Sequence, residues 1–120
     1  MTMLEMETNV REGLLDTESS AYRFSSEYIL NAIYGGVRLL FSIRPESRYN
    51  GVRLISLELP VVTSMMVASE REKTLPIDPR WRDALVYFAK GKCFEIDSAD
   101  TANAALAADC FSKFNNLAAL

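Results

Sequence analysis

Apolar residues recur at every third or fourth position in the last third of the chain, in two runs separated by a polar break at Asp97-Ser98. The first run follows Asp78, which suits a helix N-cap, and Pro79, which fits the first helical position. Its members are Trp81, Ala84, Leu85, Phe88, Ala89 and Ile96, and the second run comprises Ala102, Leu106, Cys110, Phe114 and Leu117. The spacing predicts helices at about 79–96 and 99–118, and the short break predicts antiparallel neighbours.

The same spacing predicts two further helices in the first half of the chain. The first covers about 3–15 and carries Met3, Met6, Val10 and Leu14. The second covers about 26–44, because Ser25-Ser26 can cap its start and Pro45 disfavours helical geometry in the residue before it. Gly35-Gly36 lies inside this helix, where each glycine costs about 1 kcal/mol relative to alanine. Such a pair is typical of a position that another backbone approaches closely.

Residues 52–68 are rich in strand formers, and the Asn50-Gly51 dipeptide before them is typical of a turn. They predict a short β-hairpin or an extended arm between the second and third helices. Because a lone two-stranded ribbon is marginal in water, its apolar residues need a partner surface in the same subunit or in a neighbour. The predicted fold class is therefore mainly α, a single four-helix bundle-like domain over 1–120 with this arm inserted.

Composition narrows the classes of function. The chain has 120 residues, with 13 basic and 16 acidic side chains, a formal net charge of −3 and no histidine. An acidic protein lacks the electrostatic attraction that DNA-binding proteins use, so we expect DNA to pass by without specific binding. No apolar run approaches the roughly 20 residues of a membrane span, and the first residues do not resemble a secretion signal. We therefore expect synthesis in a cytoplasm and no membrane partner.

The residues offer little catalytic chemistry. Without histidine, the commonest general base and the Ser-His and Cys-His pairs are missing. The acid pairs Asp97/Asp100 and Glu70/Glu72 could in principle cleave glycans, but the first pair suits helix ends and the second lies in a solvated charge run. The cysteines Cys93 and Cys110 are expected to be small buried apolar residues, with a disulfide left open. We expect no enzyme activity, no cofactor and no metal.

Several phrases of the sequence are similar to those of phage head-to-tail adaptor (connector, or head-completion) proteins. In the first half they are Leu14-Leu15-Asp16-Thr17, Tyr22-Arg23-Phe24-Ser25-Ser26-Glu27-Tyr28-Ile29-Leu30-Asn31 and Ile43-Arg44-Pro45-Glu46. In the second half they are Leu75-Pro76-Ile77-Asp78, Trp81-Arg82-Asp83-Ala84-Leu85, Asp97-Ser98-Ala99-Asp100 and Phe114. The resemblance covers both ends of the chain in the same order and leaves only a short middle region.

The resemblance implies a ring, typically of twelve identical copies, that docks under the portal vertex of the virion. Such a ring extends the DNA channel at the head-tail interface and supports a tail or nozzle protein, and it is assembled in the host cytoplasm. C-terminal segments in the family commonly reach toward the portal protein. The implied portal contacts are Phe111, Phe114, Leu117 and Leu120, with completion of the subunit's own core as the alternative.

Two groups of residues are candidates for contacts with neighbouring subunits or with the tail. The first is the apolar part of the predicted arm, which comprises Val61, Val62, Met65, Met66 and Val67. The second is a cluster of arginines around the turn, which is either solvated or paired with an acidic partner surface, and comprises Arg44, Arg48 and Arg53.

Two other functions stay open. A small carboxylate-dependent cell-wall glycan hydrolase predicts that changing Asp97 or Glu70 abolishes activity without unfolding the protein. A cytoplasmic helical regulator that binds a partner helix or nucleic acid predicts a monomer or dimer that stays small when its partner is present.

Overall fold

The structure is a computed structural model that describes residues 1–17, 22–49, 58–96 and 101–119. Within these residues it contains five α-helices, α1 (Met3–Leu14), α2 (Ser26–Ile43), α3 (Val67–Glu72), α4 (Arg82–Ile96) and α5 (Thr101–Ala118). Short 3-10 segments occupy Pro45–Arg48, Ser64–Met66 and Pro79–Trp81. The prediction of a mainly helical protein is confirmed.

Local side-chain caps explain where two of these helical segments begin. The Ser25 hydroxyl accepts a 3.1 Å hydrogen bond from the backbone N–H of Tyr28, at the start of α2. The Asp78 carboxylate accepts a 2.9 Å hydrogen bond from the N–H of Arg80, and the 3-10 turn Pro79–Trp81 then leads directly into α4. Both caps satisfy backbone donors that a helix leaves free at its start.

The core is built around α4, which contacts α1, α2 and α5. Phe88 connects two of these contacts, because its ring packs against Phe111 and Phe114 of α5 and also lies against Gly36 of α2. The order of contacts along α4 shows that α4 and α5 run antiparallel, as predicted: Gly91 faces Phe111, whereas Phe88 also reaches Phe114.

The adjacent glycines of α2 mark a close approach, but side chains of α4 rather than another backbone make it. A Cβ atom at Gly36 would lie 2.9 Å from Cδ1 of Phe88 and 3.1 Å from Cδ2 of Leu85. A Cβ at Gly35 would lie 3.5 Å from Phe88, which is an ordinary contact distance. Only Gly36 is therefore required for α2 and α4 to pack this closely.

The predicted arm at 52–68 needs correction in its second half. Residues 64–66 form a 3-10 turn and α3 begins at Val67, so 64–68 are helical rather than extended. Residues 58–63 have no regular secondary structure, and 52–57 lie outside the described residues. No strand occurs in the described ranges, and the β-hairpin is not confirmed there. A short apolar run does not distinguish a strand from a helical turn by its pattern alone.

The start of the chain is held against the segment that follows α3. The N–H of Met3 donates to the carbonyl of Lys73, and the N–H of Leu75 donates to the carbonyl of Met1, both at 2.8 Å. Thr74 forms an isolated antiparallel bridge with Thr2 between them. None of the helices in the described ranges is long and apolar enough to cross a membrane.

Candidate interaction surfaces

The residues implied as portal contacts occupy different environments. Phe114 is 1% exposed and packs against Phe88, with ring centroids 5.3 Å apart, so it is a core residue of the subunit. Phe111 is half-buried against the same ring, and Leu117 is half-buried at the wall of a surface cleft. Leu120 lies outside the described residues. Of the described members, Leu117 is the one that lines a cleft open to solvent.

The apolar residues predicted for the arm also divide. Val61 and Met65 are 74% and 94% exposed, whereas Val62 is buried. Met66 and Val67 are half-buried and pack against the core. The subunit itself therefore covers Val62 and part of Met66 and Val67, and Val61 and Met65 remain as exposed apolar side chains.

Asn31 of α2 fixes the position of this exposed pair. Its side-chain amide donates to the carbonyl of Val62 and accepts from the N–H of the same residue, both at 2.8 Å. Two turns of helix further on, Arg38 donates to the carbonyls of Leu59 and Pro60 at 3.3 Å. Polar side chains of α2 thus satisfy backbone groups of a segment that has no regular secondary structure.

Of the three clustered arginines, Arg44 has the best-defined surroundings. Its guanidinium lies 5.7 Å from the centroid of the Trp81 ring and donates a 3.0 Å hydrogen bond to the carbonyl of Ala118. It also pairs with Glu46, two residues along the chain. Arg48 is half-buried with contacts of its own, and Arg53 lies outside the described residues. The structure thus brings one residue of this cluster to the end of α5, beside Leu117.

We call the depression at this junction the Trp81 cleft. It has a volume of about 240 Å³ and is lined by Arg44, Arg80, Trp81, Asp83, Ala84 and Leu117. Two cations lie near the Trp81 ring, because the Arg80 guanidinium is 4.7 Å and the Arg44 guanidinium 5.7 Å from its centroid. An aromatic face flanked by arginines combines an apolar contact surface with positive charge. The cleft therefore offers apolar contact surface with charges of both signs at its wall, since Asp83 adds a carboxylate to the two arginines.

The pattern of residues along the chain does not predict this cleft. The periodicity places Trp81 in the buried stripe of its helix, and it is indeed buried, although it also lines the cleft. Nothing in that pattern singles out Arg80. A sequence feature that could indicate the cleft is an Arg-Trp pair directly after a helix cap, since Arg80 and Trp81 follow Asp78-Pro79.

A second polar cluster is buried between α1, α2 and α3. The Glu7 carboxylate accepts hydrogen bonds from Arg11 at 2.9 Å, from Ser26 at 2.7 Å and from Arg71 at 2.9 and 3.0 Å. Burial alone would raise the pKa of Glu7, but these three hydrogen-bonding partners outweigh it, and the pKa lies below its ordinary value. Because every charge has a partner of opposite sign, we assign this cluster a role in stability.

Asp16 extends this cluster to the junction between α1 and α2. Its buried carboxylate pairs with Arg11 at 2.8 Å and accepts from the backbone N–H groups of Arg23 and Phe24 at 2.9 and 3.3 Å. Asp16, Arg23 and Phe24 all belong to the phrases that resemble adaptor proteins. These residues therefore have a structural role, since the Asp16 carboxylate connects the end of α1 to the residues that lead into α2.

The structure describes two of the four candidate catalytic acids, Glu70 and Glu72. Glu70, expected in a solvated run, is 1% exposed, and this expectation is wrong. It accepts a 2.8 Å hydrogen bond from the Tyr34 hydroxyl and pairs with Lys73 at 2.6 Å. Burial and the hydrogen bond to Glu70 raise the pKa of Tyr34. Glu72 is exposed, and Asp97 and Asp100 lie outside the described residues.

The two cysteines are free and buried, as expected. Burial raises the pKa of the Cys93 thiol to about 12, and burial also raises the pKa of Cys110. A thiol that stays protonated is a poor nucleophile and a poor metal ligand. In the parts of the chain that the structure describes, no three potential metal-ligating side chains come together.

Comparison with protein-family models, with curated proteins and with solved structures found no match to this chain.

Proposed function

We propose that this chain is a structural virion protein, the subunit of an adaptor ring between the portal vertex and the tail. In this proposal about twelve copies surround the DNA channel and extend it, and the chain has no catalytic role. The resemblance to head-to-tail adaptor proteins motivates the proposal.

One observation in the structure supports it most strongly. Arg44, from the phrase that ends the second predicted helix, lies over Trp81, from the phrase that opens the last hairpin, at 5.7 Å from the ring centroid. These two phrases are far apart in the sequence, and the resemblance rests on both. Their meeting at an open cleft is what we expect if both phrases form one contact surface.

The distribution of surface chemistry suits a ring subunit. We propose a bundle-like arrangement of the long helices, with Val61 and Met65 facing a neighbouring subunit or the tail or nozzle protein below. In this proposal Leu117, at the end of α5, faces the portal protein. The acidic balance of the chain, a net charge of −3, favours a lumen that repels phosphates, so double-stranded DNA passes without specific binding.

Mass measurements on assembled particles test this proposal. Purified protein is mixed with capsids that carry the portal vertex of the same virus, and separately with capsids of the same preparation that lack it. We expect about twelve copies per portal-bearing capsid by native mass spectrometry, and a ring at one vertex by electron microscopy. Equal recovery from both kinds of capsid, or recovery from neither, would contradict the adaptor function.

A further inference from the structure

Helix α3 buries a charge where the long helices bury apolar side chains. It has six residues, and its one buried side chain is that of Glu70, which is 1% exposed. By contrast, α4 and α5 bury apolar side chains such as Leu85, Phe88 and Phe114. A helix as short as α3 is not stable by itself, so contacts with the rest of the subunit must hold it in place.

The first of these contacts joins α3 to both α1 and α2. The Arg71 guanidinium donates to the Glu7 carboxylate of α1 at 2.9 and 3.0 Å. It also donates to the Ser26 hydroxyl of α2 at 2.7 Å. Hydrogen bonds between charged groups are stronger than those between neutral ones, so this contact fastens α3 at a single side chain.

The second contact joins α3 to the middle of α2. The buried Tyr34 hydroxyl donates to the Glu70 carboxylate at 2.8 Å. Lys73 also pairs with Glu70, at 2.6 Å, but it belongs to the same segment and does not connect that segment to another helix. We call the contacts made by Arg71 and by Glu70 the two latches.

Apolar packing adds little to the latches. The 3-10 turn that precedes α3 has no buried residue, and Met65 within it is 94% exposed. Met66 and Val67 are half-buried against the core, and Met66 provides no side-chain cap for the start of α3. Separation of this segment from the subunit therefore exposes little apolar surface and breaks mainly polar contacts.

We propose that residues 64–73, which we call the strap, open as one unit while α1, α2, α4 and α5 stay folded. Polar contacts set the free energy of this opening, whereas apolar burial sets that of global unfolding, so the two free energies differ. The strap is thus a conformational device that moves the exposed Met65 without unfolding the subunit. A partner that binds Met65 more tightly in one of its two positions selects that position. The strap goes beyond the adaptor function and does not depend on it.

Hydrogen exchange of the wild-type protein, followed by mass spectrometry at several low urea concentrations, tests the strap. We expect the amides of α3 to exchange through an opening of lower free energy than those of α4. Their exchange should also depend less on urea, because a local opening exposes less surface than global unfolding does. The same free energy and the same urea dependence in both helices would overturn the strap, since α3 would then open only when the whole subunit unfolds.

Two matched variants separate local opening from general destabilisation, since each removes one tyrosine hydroxyl that donates one hydrogen bond. Tyr34→Phe breaks a latch. Tyr28→Phe removes the 3.0 Å bond to the carbonyl of Lys92, which connects α2 to α4 and stays formed when the strap opens. Exchange in α3 should accelerate about ten- to hundredfold in Tyr34→Phe and stay within about threefold of the wild type in Tyr28→Phe. Equal acceleration of α3 in both variants would overturn the strap.

The other latch is tested by Arg71→Met, in which Glu7 keeps its hydrogen bonds to Arg11 and Ser26. Exchange in α3 should accelerate at least about tenfold, while circular dichroism still shows the long helices. The control is Arg82→Met, which removes an arginine from an exposed pair with Asp83 and should leave α3 within about threefold of the wild type.

Two results with Arg71→Met would also overturn the strap. If this variant unfolds as a whole, the latch holds the entire subunit together rather than one segment. If exchange in α3 stays at the wild-type rate in both Arg71→Met and Tyr34→Phe, the polar contacts do not hold α3 in place.

Discussion

The side-chain amide of Asn31 forms a pair of 2.8 Å hydrogen bonds with the backbone of Val62, one as donor and one as acceptor. This pair of hydrogen bonds resembles the one that two residues of neighbouring β-strands exchange, with a side chain of α2 in place of one strand. It places the exposed Val61 and Met65 on the surface of the subunit.

Replacing Asn31 by alanine should therefore release the segment around Val62. Two partly buried hydrogen bonds are lost, and we expect the free energy of unfolding to fall by about 1–3 kcal/mol in urea titrations. Hydrogen exchange of the Val62 amide should accelerate at the same time. Ser42→Ala, at an exposed position of the same helix, is the control and should change neither quantity. Unchanged exchange at Val62 in Asn31→Ala would show that the pairing does not hold the segment.

Substitution of Glu7 tests the buried ionic cluster. Glu7→Gln removes the charge that Arg11 and Arg71 share, and breaking a buried pair in this way costs about 3–5 kcal/mol. Glu12→Gln, on the exposed side of α1, should cost less than about 0.5 kcal/mol. Urea titrations of the two variants measure the difference. Comparable losses would mean that the cluster contributes little to stability.

Glu7 should also make the free energy of unfolding depend on pH. The folded-state pKa of Glu7 is below its ordinary value of 4.5, so the unfolded chain takes up the proton first as the pH falls. The stabilising contribution is therefore complete above the unfolded pKa and is lost as the pH falls through the folded pKa. Urea titrations from about pH 7 to pH 3 should show a smaller loss of stability in Glu7→Gln than in the wild type. Parallel curves would contradict the lowered pKa.

The adjacent glycines of α2 should respond to alanine in opposite ways. Gly35→Ala gains helix propensity at ordinary contact distance, and should raise the free energy of unfolding by up to about 1 kcal/mol. Gly36→Ala has the same gain but places a Cβ 2.9 Å from the buried Phe88 ring, and overpacking should lower stability by about 1–3 kcal/mol. Thermal and urea unfolding of the pair measures the difference. Equal effects would contradict the close approach of α2 and α4.

Both thiols should be protected in the folded protein. Cys93 and Cys110 are buried with raised pKa values, so Ellman's reagent at about pH 8 should react with neither in native buffer and with both in urea. Cys110→Ser, which leaves one thiol, separates the two sites. Fast reaction of Cys93 without denaturant would show that α4 opens locally.

Local signals in the sequence predicted much of the helical fold. Ser25 and Asp78 cap their helical segments with their own neighbours, so a short stretch of sequence contains the whole interaction. The burial of Glu70 depends instead on Tyr34, 36 residues away, and the run of charges around it indicated the wrong environment. A pattern along one segment cannot show which distant side chain will pair with it.

The candidate site was predictable only in pieces. The sequence singles out Arg44 and Leu117, but in different groups and for different partners. Their meeting depends on how α2 and α5 both pack against α4, which periodicity does not specify. Trp81 contributes to the core and to the cleft at once, and a helical stripe reports only the first role. The helical turn at 64–66 was missed because three apolar or small residues carry no period.

The carboxylate of Asp16 has a practical consequence for handling the protein. By binding the N–H groups of Arg23 and Phe24, it joins the two ends of the connection between α1 and α2. When the ends of a loop are pinned, added length costs only the slow logarithmic rise of closure entropy. An epitope or a fluorescent label inserted between Thr17 and Tyr22 should therefore leave the helices in place, and provides a way to count subunits in an assembled particle.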